Sequence, residues 1–155
     1  RLNRLGSYVL RNCQDSYCDK TNTVILYKIV SKDWLTQAGT CYQTSWRPGT
    51  ILTEPYPCWK PDAKECGEGK FHACARAEWC DYYYLQPGLR EARYIAIRVR
   101  VEDLFEWLDE PKLPGKIAFK AGEVLYEVDK YGRRLGADPA QNDSSESING
   151  TAKRD

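Results

Sequence analysis

One histidine, His72, stands in a run whose residue types could do chemistry: Cys66-Gly67-Glu68-Gly69-Lys70-Phe71-His72-Ala73-Cys74. Cys58, Cys66, Cys74 and Cys80 all fall in the surrounding stretch. Thiolates with an imidazole are a donor set that zinc takes tetrahedrally. The chain has no Cys-x-x-Cys pair, so the spacing is not that of the familiar fingers. Nucleophilic catalysis is a second reading. His72 and Cys74 share one face of a strand, and an imidazole beside a thiol lowers its pKa and activates it. A third reading is purely structural, with His72 hydrogen-bonded in the core and the cysteines packed as small hydrophobes.

Several elements must position this run. Residues 23–31 are rich in β-branched and aromatic side chains, and their apolar run is nearly continuous, which predicts a central strand. Lys28 interrupts that run and either snorkels to an edge or points into a pocket. Residues 50–52 form a short strand after the Arg47-Pro48-Gly49 turn. Pro55, Pro57 and Pro61 break regular structure in a loop placed to act as a rim or lid. Residues 70–74 alternate as a short strand, with His72 facing as Lys70 and Cys74 do. A helix is expected over 75–85, stopped by Gln86-Pro87-Gly88. Residues 92–101 alternate most clearly, with Ile95, Ile97, Val99 and Val101 on one side. A turn or two of helix over 102–108 and strands over 116–121 and 123–129 follow, with a bend or bulge at Ala121-Gly122.

The 155-residue length suits one domain, with 42% hydrophobic and 29% charged residues and a formal charge of +1. No cluster of Lys and Arg stands out as a phosphate-tracking surface, so nucleic acid is not the favoured partner. No apolar run approaches the length of a membrane span. Residues 1–10 hold no continuous apolar segment of the kind a secretion signal needs, and the absence of methionine is what a fragment or processed product would show. Seven cysteines cannot all pair with one another, which favours reduced thiols and a cytoplasmic setting in a host cell over secretion. Two Asn-x-Ser/Thr triplets in the polar C-terminal segment are of the kind that arise by chance.

The combination Val24-Ile25-Leu26-Tyr27-Lys28, Trp46-Arg47-Pro48-Gly49, Cys66…Phe71-His72-Ala73-Cys74, Tyr82-Tyr83, Tyr94-Ile95-Ala96-Ile97 and Lys116-Ile117-Ala118 resembles a family of small uncharacterised proteins from bacteriophages and bacteria. The resemblance spans residues 23–129 and implies kinship without an activity. The same order distantly resembles the ADP-ribosyltransferase fold. That second resemblance implies NAD as cofactor, with Tyr27-Lys28 on the first strand, Phe71-His72-Ala73-Cys74 on the second, and Glu123 as the catalytic carboxylate. It further implies Tyr27, Trp46, Tyr82 and Tyr83 as ligand-binding aromatics that stack the nicotinamide, and Lys28 and His72 as partners of Glu123 in catalysis. Lys28 departs from the Arg or His of that pattern, the Ser-Thr-Ser is missing, and Ala121 holds the place of a first glutamate.

The expected architecture is a single α+β domain over residues 23–135, with a mixed or mostly antiparallel sheet and a few short helices. Residues 1–22 are an N-terminal extension. Residues 136–155, poor in apolar side chains, are expected to be a disordered tail. The expected function is an interaction module for a host or virion protein, with a cleft around His72. The competing expectation is an NAD-dependent transferase acting on a small nucleotide ligand.

Overall fold

Val24, Leu26 and Val30 of strand β1 (Thr23–Val30) point to one side and are almost fully buried, and this strand lies in the middle of the sheet. The computed structural model describes residues 16–53, 71–83, 91–105 and 116–136. In these residues the chain continues through β2 (Leu35–Thr36), β3 (Thr44–Ser45), β4 (Ile51–Leu52), β5 (Phe71–Cys74), β6 (Arg93–Arg100), β7 (Lys116–Phe119) and β8 (Gly122–Val128). Six strands form one sheet in the order β4-β8-β6-β1-β5-β7, and every neighbouring pair is antiparallel. β2 and β3 make a separate two-stranded ribbon.

The sheet cannot be flat. β7 and β8 are four strand spacings apart in the order, about 19 Å in a planar sheet. Only Lys120 and Ala121 connect Phe119 to Gly122, and three peptide steps reach at most about 11 Å. The sheet must therefore roll until its two sides approach. The chain after β6 supports the same closure. Phe105 donates its backbone N–H to the Ala118 carbonyl (3.0 Å), Lys120 donates to Asp103 (2.9 Å), and Leu104 bridges Phe119. Segment 103–105 thus occupies the outer edge of β7. A bulge contributes curvature: Ala96 faces Tyr126 while Ile97 faces Val124, which leaves Leu125 as the extra residue on β8.

The interior of the roll is filled by Leu26, Phe71, Ile95, Ile97, Val99, Ile117, Phe119 and Val124, with Trp46 brought in after β3. Alternation along the strands leaves Tyr27, His72, Cys74, Ala96 and Ala118 on the outer surface. A 3-10 helix, Ala77–Tyr83, covers part of that surface, and Ala77 and Cys80 are buried beneath it.

The α+β expectation shifts toward mostly β. The antiparallel sheet and the central place of residues 23–30 agree with the sequence reading. The helical content among the described residues is Ala77–Tyr83, the three-residue turn Val101–Asp103 and Ser16, all 3-10. The helix expected over 102–108 gives way at Leu104, whose φ of −81° and ψ of 142° are extended. Backbone pairing with β7 and the Arg100 guanidinium held 2.9 Å from the buried Asp103 carboxylate outweigh a short apolar helix there. The two strands meet at a bend next to Ala121-Gly122, as expected, and a bulge lies further along at Leu125. Of the expected extension and tail, residues 1–15 and 137–155 lie outside the described residues, as does the proline-rich loop over 54–66. Among the described residues no helix is long and apolar enough to cross a membrane.

Gly122 begins β8 at the tightest point of the closure. A Cβ built there would sit 3.1 Å from the Arg98 carbonyl oxygen and 3.2 Å and 3.3 Å from methyl groups of Val99 and Ile97. Those atoms belong to a central strand and have little room to yield. Gly122→Ala is expected to destabilise the fold by about 1 kcal/mol, measured by chemical denaturation. A variant as stable as the parent would show that β8 can shift outward.

Candidate functional site

The ladder between β1 and β5 ends almost as soon as it begins. Tyr27 pairs with Cys74, and no further partners follow. Where the next bonds of an antiparallel ladder would lie, the Lys28 ammonium donates to the His72 carbonyl oxygen at 2.7 Å. Lys28 shares the inner face of β1 with Val24, Leu26 and Val30, and its Nζ lies 4.8 Å from the centre of the Trp46 ring. A charge amid apolar neighbours is thus satisfied by a carbonyl dipole and an aromatic face. On its far side β5 is fully laddered to β7, with His72 opposite Ala118 and Cys74 opposite Lys116. Lys28 thus meets the His72 backbone from the inner face where two strands part, while His72, Cys74 and Lys116 share the outer face.

Cys74 and Cys80 meet beneath the 3-10 helix. Their thiols are hydrogen-bonded to each other. The bond from Cys80 holds the Cys74 thiol below its ordinary pKa despite burial, helped by the positive charges of Lys28 and Lys116. Cys80 is pushed up, first by that same bond and then by burial. The Arg76 carbonyl, 3.8 Å from the Cys80 sulfur, is an alternative acceptor for its proton. Tyr94 on β6 donates its hydroxyl to the Asp81 carboxylate, which ties the helix to the sheet from the other side.

The site residues expected from sequence separate into groups. Lys28 and His72 are in contact. Glu123 is on β8, so β6 and β1 lie between it and the β5 strand of His72. Its carboxylate pairs with the Arg98 guanidinium at 3.2 Å, with both side chains half exposed. Trp46 is a core residue, 2% exposed, whose indole N–H is donated to the Thr36 hydroxyl at 2.8 Å and whose ring meets Phe71 edge-on. Tyr27 is half-buried on the outer surface, its ring against Gly132. The backbones of Tyr82 and Tyr83 belong to or adjoin the 3-10 helix, and their side chains lie outside the described residues.

Cys58 and Cys66, half of the expected zinc set, lie outside the described residues. Among the described residues no group of three or more His, Cys, Asp or Glu side chains is arranged to hold a metal ion. Cys74 and Cys80 offer two sulfurs, short of the four donors of a structural zinc site. Lys116, Asp81 and Tyr94 were not among the site residues expected from sequence. Only the register of β7 against β5 puts Lys116 beside Cys74, and register cannot be read from a short strand flanked by irregular chain.

No family model, curated protein or solved structure matches this chain.

Proposed function

We propose that the protein is a binding module whose partner, a host or virion protein, docks on the outer surface of β5 and β7 around His72. The observation that carries this reading is the Lys28–His72 contact at 2.7 Å. It fixes the backbone of a partly exposed histidine on a strand whose other face is locked into the core by Phe71 and Ala73. Such a histidine is presented rigidly, which lowers the entropic cost of binding. Lys116 lies on the same surface, and its charge favours a partner that presents carboxylates. The transferase reading gains little here. It needs a carboxylate beside His72 and Lys28, whereas the Glu123 carboxylate is engaged by Arg98 of β6.

The test compares wild type with His72→Gln, Lys116→Ala and Glu123→Gln for melting temperature, NAD binding and capture of a defined partner from host or virion extracts. One partner species is expected on wild type and on Glu123→Gln. Its binding should weaken about tenfold or more on His72→Gln and Lys116→Ala while the melting temperature holds. NAD should leave the wild-type melting temperature unchanged. An NAD-induced rise together with NAD consumption abolished by Glu123→Gln would replace the binding module with the enzyme.

A further inference from the structure

Two buried thiols at the junction of β5 and the 3-10 helix take no part in the binding surface proposed above. Cys74 is 4% exposed and Cys80 is 1% exposed, both are free, and the helix that carries Cys80 packs on the face of β5 that carries Cys74. They belong to different elements, one ending β5 and the other in Ala77–Tyr83, separated by five residues that include the turn at Ala75 and Arg76. Buried cysteines normally pack against carbon. Here each has the other as a polar neighbour, and the positive charges of Lys28 and Lys116 act on Cys74.

We infer that Cys74 and Cys80 are an oxidisable pair that closes to an intramolecular disulfide, stapling the 3-10 helix to β5, and that the oxidant is a small peroxide. The steps balance without another reagent. The Cys74 thiolate attacks one oxygen of hydrogen peroxide, the O–O bond breaks, and Cys74 sulfenic acid forms as hydroxide leaves and takes up the thiol proton as water. The Cys80 sulfur then attacks the Cys74 sulfur. The S–O bond breaks, the Cys80 proton joins the departing hydroxide as a second water, and the S–S bond remains. Two thiols give up two electrons and two protons, and one peroxide becomes two waters. Access selects the oxidant: sulfurs this enclosed admit a molecule of two heavy atoms far more readily than a bulky disulfide. The lysine charges assist the first step by favouring the thiolate, and contact between the sulfurs assists the second.

The sequence makes the test direct. Trypsin cuts after Lys70, Arg76 and Arg90, so Cys74 and Cys80 fall in adjacent peptides, 71–76 and 77–90. Folded wild-type protein is treated with hydrogen peroxide, quenched with catalase, alkylated after denaturation, digested without reductant and mapped by mass spectrometry. The expected result is the two peptides joined and lacking two hydrogens, with a melting temperature raised by about 5 °C and restored by reduction. In Cys80→Ala, a dione probe should instead trap the sulfenic acid on Cys74. Recovery of both wild-type peptides separately alkylated, while the exposed Cys18 and Cys41 are oxidised, would overturn the inference. So would either thiol joined to a different cysteine. The wild-type map decides the matter even if the variant does not fold, and neither outcome depends on the docking surface around His72.

Discussion

Replacing Trp46 by alanine is expected to cost about 3–5 kcal/mol, the range for removing a large aromatic side chain from a packed core. Three losses coincide at this one position. The indole is 2% exposed and meets the Phe71 ring edge-on at 5.7 Å, so its removal leaves a void beside β5. Its N–H holds the Thr36 hydroxyl, which ties the β2–β3 ribbon to the core. Its face carries the Lys28 ammonium. The melting temperature should fall by roughly 10–20 °C. Trp46→Phe separates the contributions, because it keeps most of the apolar contact and loses the hydrogen bond and part of the cation–π attraction. That variant should cost only about 1–2 kcal/mol. Near-equal losses in the two variants would place the stabilisation in the Thr36 bond rather than in packing.

The example also marks how far the chain can be read without its fold. A nearly continuous run of β-branched and aromatic residues located β1, and clear alternation located β6, each to within a residue or two. The short strands β7 and β8 were legible for the same reason. The helical reading of 102–108 gives way at 104–105 because it weighed local apolar spacing, whereas backbone bonds to a strand from elsewhere in the chain decide those residues; 106–108 lie outside the described residues. Trp46 looked like a ligand platform because an aromatic beside a turn carries no local sign of being drawn inside. The site divided in a similar way. Lys28 and His72 stood out individually, as a charge in an apolar run and as the single imidazole. Their contact follows from β5 lying next to β1, and the pairing of Glu123 with Arg98 from β8 lying next to β6. Strand order is a long-range property that no local pattern encodes.

Lys28→Ala is expected to cost about 1.5–3 kcal/mol, the range for hydrogen bonds to a charged group. The His72 carbonyl lies where β5 has parted from β1, so no strand backbone replaces the ammonium across that gap. Part of the loss is apolar, because the lysine stem runs along the inner face beside Leu26 and Val30. Lys28→Met isolates the polar part: it restores a stem of similar length and removes only the charge. A methionine on this face would gain about 1 kcal/mol from burial, which is smaller than the cost of losing the charged hydrogen bond. The expected order of stability is therefore wild type, then Lys28→Met, then Lys28→Ala, measured as denaturation midpoints at constant slope. Lys28→Met at or above wild type would mean that water takes over the carbonyl. The same two variants bear on function. If the ammonium fixes His72 for a partner, Lys28→Met should weaken partner binding more than its modest stability loss can explain. Equal binding in wild type and Lys28→Met would confine Lys28 to the fold, and the binding surface would have to rest on His72 and Lys116 alone.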